Sequence, residues 1–184
     1  MNKFKLSAIA FALALSAGAA LPTYAQVTVG GAPMYKTKDI VDNAVNSKDH
    51  TTLVAAVKAA GLVDTLKGPG PFTVFAPTNE AFADLPAGTV DTLLKPENKP
   101  MLTKVLTYHV VAGNLDAAEL KREITAGHGK AMLKTVSGGT LTAMESGKDI
   151  TITDEKGDVS KVTIADVRQS NGIIHVVNHV LLPG

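Results

Sequence analysis

The sequence predicts an α+β fold, with helices mainly in the N-terminal half and mostly antiparallel strands after them. Apolar residues recur at helical spacing from Asp39 onward, and after about residue 130 they alternate with a period of two. The stretch from Asn171 to Pro183 is apolar on both alternating sets, which predicts a central strand that is covered on both faces. Helices followed by strands indicate a compact sheet sandwich or wedge with helices packed around it.

The first 25 residues have the pattern of a signal peptide. Lys3 and Lys5 precede a short apolar run, and Thr23-Tyr24-Ala25 is typical of a processing site before Gln26. The run is shorter than the ~20 residues that a membrane span needs, so a retained anchor is the weaker alternative. We expect export, to a periplasm or the extracellular space, without a membrane span.

Composition excludes several classes of function for the remaining 159 of 184 residues. The predicted signal peptide holds two of the 18 Lys and Arg residues, so 16 basic residues face 17 acidic ones, a formal charge of −1. Such a balance gives no electrostatic footprint for nucleic acid. The absence of cysteine excludes disulfides, thiolate metal sites and a cysteine nucleophile.

The elements of the N-terminal half follow from local signals. Residues 26–38 have no periodicity and predict a flexible arm. Two helices with a short further turn are expected between Asp39 and Leu66, with Gly61 ending the second, before the break at residues 68–71. A strand at 72–75 then leads into a helix that Thr78 caps.

Three more elements precede the predicted sheet. Pro86 and Pro96 bracket a short helix, and a further helical face leads to an extended segment over residues 108–111. The spacing of Asp116 and Glu119 is that of a capping box and predicts a helix through Ile124.

The C-terminal part predicts strands at 132–136, 140–144, 150–153 and 159–167, followed by the strand after Asn171. Asn171-Gly172 is expected to supply the positive φ angles of a tight hairpin turn. Asn178 interrupts one apolar set and predicts a bulge or bend. Asp154 and Glu155 lie in a predicted hairpin, where we expect both carboxylates to be solvated.

Three motifs in this order resemble fasciclin domains. Residues 72–82 resemble the first signature of the family, residues 171–183 resemble the second, and the run from Tyr108 to Gly113 resembles the Tyr-His motif between them. The similarity extends from Asp39 to Pro183, so we expect a fasciclin domain at residues 39–184. The signature positions with expected structural roles are Phe72, Thr78, Phe82, Asn171, Gly172, His175, Asn178 and His179.

The resemblance implies a β-sandwich wedge wrapped by helices, in a secreted or surface protein. It also implies adhesion or extracellular-matrix binding rather than catalysis, with a cell-surface or matrix protein or glycan as partner. The candidate binding residues are Tyr108, His109, Asn79 and Glu80. If His109 points inward it is a hydrogen-bonded core group, and if it points outward it belongs to a partner-binding face.

His175 and His179 are the candidate metal pair. On a strand, four residues span ~13 Å, which is too far for two ligands of one zinc ion unless Asn178 bends the chain. We therefore expect no metal and treat both as histidines that bond to backbone or loop groups.

The sequence offers no enzyme signature. It lacks a G-x-S-x-G elbow, a phosphate-binding loop and calcium-loop spacing, so we expect neither catalysis nor a cofactor. The alternative to an interaction module is a small-molecule or glycan carrier, or a weak enzyme, that uses a cleft between helices and sheet. A polar pocket of ~300 Å³ or more would favour that alternative, and an exposed apolar patch would favour the interaction module.

Overall fold

The computed structural model describes residues 26–184, so the predicted signal peptide and its cleavage site lie outside the described residues. Seven helices and nine strands lie within this part of the chain. The helices are α1 (Ile40–Ala44), α2 (Thr51–Ala60), α3 (Val63–Lys67), α4 (Asn79–Ala83), α5 (Thr89–Leu93), α6 (Lys99–Tyr108) and α7 (Ala117–Ala126). Short 3-10 helices span Lys48–His50 and Pro96–Asn98.

The strands are β1 (Thr28–Val29), β2 (Ala32–Pro33), β3 (Phe72–Pro77), β4 (Val110–Ala112), β5 (Lys130–Lys134), β6 (Thr140–Ser146), β7 (Asp149–Thr153), β8 (Val159–Gln169) and β9 (Gly172–Val177). β3 to β9 form one seven-stranded sheet in the order β4-β3-β9-β8-β7-β6-β5. Only the β3–β9 pair is parallel within it. Val111 of β4 bridges Thr135, just after β5, so the sheet curls almost into a barrel. The predicted α+β class with mostly antiparallel strands is confirmed.

β9 is the centre of the fold, as its two-sided apolar pattern predicts. All six of its residues are buried between β3 and β8. Ile174 and Val176 face one hydrophobic cluster and Val177 faces another. We call the first the helical core, because helices α1 to α6 supply most of it; its members include Ile40, Leu53, Val57, Leu66, Phe82, Leu102, Val105, Leu106 and Ile174. We call the second the sheet core; its largest members are Phe75, Tyr108, Leu120, Ile124, Leu133, Leu141, Ile150, Ile152 and Leu181.

The predicted caps are confirmed at three helix ends. Thr78 Oγ1 accepts from Ala81 N at 3.3 Å, and Asp116 Oδ1 accepts from Glu119 N at 2.9 Å. Gly61 ends α2 in the left-handed conformation, with φ of 72°. Each cap satisfies backbone groups that a helix leaves unpaired at its ends.

Residues 26–38, where the sequence predicts a flexible arm, contain two short strands. β1 and β2 pair as a small antiparallel hairpin. Val29, Ala32 and Met34 are buried in the helical core. The hairpin is too short to show a period of two, which is why the sequence pattern does not reveal it.

The turn between β8 and β9 differs from the prediction. Neither Asn171 nor Gly172 has a positive φ, and the two-residue connection is Ser170-Asn171. Glycine is required at 172 for another reason, since a Cβ there would collide with the Phe72 carbonyl of the neighbouring β3. Close approach of two strands, rather than turn geometry, explains this glycine.

Candidate interaction site

The Tyr108-His109 pair joins the two cores. The prediction that residues 108–111 are extended is wrong for the first two of them, because α6 continues through Tyr108, His109 keeps a helical backbone conformation, and β4 begins only at Val110. His109 Nδ1 lies 2.8 Å from the Val105 carbonyl oxygen and donates to it. This carbonyl is one of those that the end of α6 leaves unpaired, so the imidazole caps its own helix.

The other imidazole nitrogen of His109 holds the C-terminal tail, residues 178–184. Nε2 accepts from Leu181 N at 3.0 Å, so the ring is neutral with its proton on Nδ1. His109 is 2 % exposed. Burial lowers the pKa of His109 to about 4, and it outweighs the opposing effects of the Val105 carbonyl and of Asp154.

The ring of Tyr108 lies in the sheet core, and its hydroxyl reaches the backbone of Thr140 and Glu155. The hydroxyl donates to the Thr140 carbonyl at 2.8 Å and accepts from Glu155 N at 3.1 Å. Burial also raises the pKa of Tyr108 to about 12. Tyr108 and His109 thus both lie inside the protein, where a partner does not touch them in this conformation.

Asp154 and Glu155 hold the same tail, so the expectation that both are merely solvated is wrong. Asp154 is buried, and its carboxylate accepts from Lys156 N, Asp158 N and Leu182 N at 2.8–2.9 Å. The Glu155 carboxylate accepts from Thr140 N and Gly184 N, both at 2.9 Å, and these bonds lower its pKa. The sequence pattern misses these roles because the bonds to the tail join residues far apart in the chain.

Asn79 and Glu80 have different surroundings although they are neighbours. Asn79 Oδ1 accepts from Thr52 N at 3.0 Å and its Nδ2 donates to the Lys48 carbonyl at 2.7 Å, so it caps the start of α2 from a distance. Glu80 is exposed in the first turn of α4. Of the four candidate binding residues, Glu80 alone presents an exposed side chain.

Asn171 ties three segments together. Its Oδ1 accepts from Ile40 N at 3.1 Å, and its Nδ2 donates to the carbonyls of Leu66 and Gly68 at 2.7 and 3.0 Å. A second asparagine that the sequence reading did not single out, Asn43, donates to the Gln169 side chain and bonds to the backbone of Tyr35. A buried polar residue on the apolar face of α1 is the signal that could have revealed it.

The remaining signature residues also have local structural partners. Phe72 is half-buried and Phe82 is buried, and both pack in the helical core. Asn178 lies in a bend after β9, and its Oδ1 accepts from Lys161 N at 2.8 Å. The backbone N–H of half-buried His179 donates to Ser160 Oγ at 2.9 Å.

His175 has no nitrogen available for a metal ion. Its Nε2 donates to the Leu115 carbonyl at 2.7 Å, and its Nδ1 accepts weakly from Asp166 N at 3.4 Å. The ring stacks on Phe75 with centroids 5.7 Å apart, and burial lowers its pKa. Across residues 26–184, no group of three or more His, Asp or Glu side chains is placed to hold a metal ion.

Of the seven large apolar residues exposed within residues 26–184, Met132, Met144 and Val159 lie on the side of β5 to β8 that faces away from the sheet core. Register places Met132, Thr142, Thr153 and Val159 in one row across the four strands, and a second row runs through Lys130, Met144, Thr151 and Lys161. Met132 is 72 % exposed and Val159 is 56 % exposed. We call this surface the outer face; it comprises these eight residues with Lys134, Thr140 and Asp149.

The outer face is cationic at its edge. Its three lysines and one aspartate give a net charge of +2, and Asp149 pairs with Lys161 at 2.7 Å. Lys130 and Lys134, on the edge strand β5, have no acidic partner within the described part of the chain. The arrangement is an apolar and hydroxyl centre with positive charge along one border.

The comparison with known proteins decides the family. The Fasciclin domain family model matches residues 48–183. The chain belongs to the fasciclin domain family. The fasciclin core thus accounts for every element from the first 3-10 helix to the C-terminal tail, and the β1–β2 hairpin and α1 precede the matched residues.

Individual relatives extend this assignment. The chain is 49 % identical over 146 residues to Protein sll1483 of Synechocystis, covering 78 % of this chain and 73 % of that protein. It is 34 % identical over 145 residues to the cell surface glycolipoprotein MPB83 of Mycobacterium bovis, covering 76 % of this chain and 58 % of that protein. A solved FAS1 domain pair from the insect cell adhesion molecule fasciclin I matches with a TM-score of 0.70 at 18 % identity, over 79 % of this chain and 51 % of that one. The fold is therefore that of a FAS1 domain. Among residues 26–184, the helices are all too short or too polar to cross a membrane.

Proposed function

We propose that this fasciclin domain is an exported, non-catalytic interaction module that binds a protein at the cell surface or in the extracellular matrix. The observation that carries the proposal is the outer face, with Met132, Met144 and Val159 exposed on four strands of the seven-stranded sheet. Relatives described as a cell surface glycolipoprotein and a cell adhesion molecule support the location and the class of function.

The shape and composition of the outer face favour a protein partner. Four strands about 4.8 Å apart and five residues about 3.3 Å apart cover on the order of 300 Å². The apolar side chains of this face lie among threonines and have lysines at the border, and such a mixture of apolar and polar groups is common in protein interfaces. Methionine side chains adapt to a partner surface, while the aromatic platforms that stack on sugars are missing from this face.

The net charge of the outer face indicates which kind of partner protein it can bind. Two copies of the outer face would each bring a charge of +2, so self-association through this face is disfavoured. An apolar surface with Asp or Glu residues along its border would match both the two exposed methionines and the lysines Lys130 and Lys134. We therefore infer an acidic-rimmed partner rather than a second copy of the chain.

The buried polar groups support the non-catalytic part of the proposal. His109 and His175 have both nitrogens bonded to backbone groups. Ser47 Oγ lies 2.9 Å from His50 Nδ1, but the two residues are 2 % and 3 % exposed, so no substrate reaches the hydroxyl. The more polar clefts beside Tyr35 and beside Asn171 have volumes of about 230 and 220 Å³, below the ~300 Å³ at which small-molecule sites typically begin.

The test compares two exposed methionines. Residues 26–184 of wild type, Met132→Glu and Met101→Glu are incubated with envelopes of the native cell, and the bound fraction is measured by co-sedimentation. Met132 is 72 % exposed on the outer face and Met101 is 59 % exposed on α6, so neither change should move stability by more than ~0.5 kcal/mol. Met132→Glu should weaken binding by more than tenfold because it puts a carboxylate against an acidic-rimmed partner. Equal binding by the two variants, or no saturable binding by wild type, would contradict the proposal.

A further inference from the structure

The helical core contains an apolar cavity that its own side chains do not fill. The cavity is about 60 Å³, is partly open to solvent, and lies between α1, α2 and α3 on one side and α6, β3, β4 and β9 on the other. Val57, Leu106 and Ile174 form part of its wall. His109 also lines it, but both of its nitrogens are bonded to backbone groups elsewhere.

The wall offers almost nothing to a polar ligand. Thr107 Oγ1 donates to the Thr103 carbonyl at 2.7 Å and is thereby occupied. Water in a cavity needs two to four polar partners, which this wall does not provide. An engineered apolar cavity of ~150 Å³ accepts benzene, so by proportion ~60 Å³ accepts two or three carbon atoms of a flexible chain. The shape therefore suits the end of an alkyl chain rather than a ring.

The rim carries one charged side chain. Lys58 of α2 lines the cavity and is exposed, and within residues 26–184 it has no acidic partner. The flexible stem of a lysine can lie along apolar surface while its ammonium group stays in water. An anionic head group at the mouth would meet this cation when an alkyl chain enters the cavity.

We propose that this cavity binds short- to medium-chain alkyl carboxylates, with the chain end between Val57, Leu106 and Ile174 and the carboxylate at Lys58. The site lies in the helical core, apart from the outer face, so it is a second binding activity beyond the proposed interaction function. Two properties follow: affinity depends on chain length, and it depends on the charge of the head group.

The experiment titrates residues 26–184 with butanoate, hexanoate, octanoate and octanol by calorimetry, below micelle-forming concentrations. Each methylene that enters the apolar wall should improve affinity about threefold to fourfold. Octanoate should therefore bind only about tenfold tighter than butanoate, because the gain ends once the two or three carbon atoms that the cavity accepts lie inside it. In ¹³C spectra, its methyl perturbations should centre on Leu106 and Ile174.

Variants separate the head group from the chain. Lys58→Met should weaken octanoate binding about threefold to tenfold and leave octanol unchanged, while Lys148→Met in the β6–β7 turn should change neither. Ala44→Leu, at the cavity wall, should reduce the binding of both ligands. The wild-type methyl perturbations test the same location if Ala44→Leu fails to fold.

Three results would overturn the proposal. They are no saturable octanoate binding to wild type, affinity that is independent of chain length, and methyl perturbations confined to the outer face. Equal loss of octanoate and octanol binding in Lys58→Met would overturn the assignment of the carboxylate to Lys58. None of these results depends on whether the outer face binds a partner.

Discussion

The helical core and the sheet core are stabilised in different ways. In the helical core most of the interior is apolar, although Asn43, Ser47 and His50 are buried beside it. The polar ties of Asn79 and Asn171 lie around its margin. Around the sheet core, buried polar side chains of Thr73, Tyr108 and His175 bond directly to backbone groups. β3 and β9 run between the two and contribute alternate residues to each.

The difference has a structural consequence. A satisfied buried polar group fixes the position of its partner, so the sheet core is specified by geometry as well as by volume. Apolar contacts alone are less selective, and the helical core retains a cavity of about 60 Å³. Tyr108 and His109 connect the two regions.

The largest expected effect is loss of a leucine from either core. Leu141→Ala in the sheet core and Leu106→Ala beside the cavity should each destabilise the domain by ~2–5 kcal/mol. The Leu141 change should cost about 1 kcal/mol more, because strands wall that site while helices can close on the other. Urea denaturation of both variants measures the difference. A larger loss of stability in Leu106→Ala than in Leu141→Ala would contradict this difference between the two cores.

Acid should act mainly through the buried histidines. His109 is neutral in the fold with a pKa of about 4, against 6.5 when exposed, so the unfolded chain binds more protons between these values. Stability should therefore fall as pH drops from about 6.5 to about 4, by about 3 kcal/mol for His109 alone. Burial lowers the pKa of His50 and His175 as well, which adds in the same direction.

The contribution of His109 can be isolated with His109→Asn. Urea unfolding at pH 7 and pH 4.5 should show a smaller loss of stability in the variant than in wild type. The same loss in both proteins would assign the acid sensitivity to other groups.

A matched pair of added methyl groups tests how tightly each core is filled. Val57→Ile points into the cavity and should stabilise the domain by up to ~0.8 kcal/mol. Val177 is fully buried in the sheet core, and Val177→Ile should destabilise it by ~1–3 kcal/mol through overpacking. Thermal melts of the two variants are sufficient, and the same sign of change in both would show that the cores are equally packed.

The sequence reveals those features of the fold that depend on neighbouring residues. The caps at Thr78 and Asp116, the helix stop at Gly61 and the two-sided burial of β9 follow from local spacing and composition. The parallel β3–β9 pair does not, because its partners, such as Phe75 and His175, are a hundred residues apart. A separation of 72 residues likewise hides the bond from Leu181 N to His109.

The candidate site was harder to predict than the fold for the same reason. The Tyr-His motif is recognisable as a pattern, but the direction of each side chain depends on where α6 ends. The extended segment predicted from residue 108 implies that α6 ends before Tyr108, but the helix includes Tyr108. This end point directs Tyr108 and His109 toward different cores. The outer face depends on the register of four strands, which hairpin lengths alone leave undetermined.

The central claim is that His109 acts as an internal tie between α6 and the C-terminal tail rather than as a contact for a partner. His109→Ala leaves the Val105 carbonyl and Leu181 N unpaired, at a typical cost of ~1–3 kcal/mol. The direct measurement is the melting temperature of wild type and His109→Ala, run beside the envelope-binding assay. We expect the melting temperature to fall by roughly 3–10 °C and binding to fall with it, as folded protein is lost. An unchanged melting temperature with lost binding would contradict the claim and would make the Tyr-His motif the contact site.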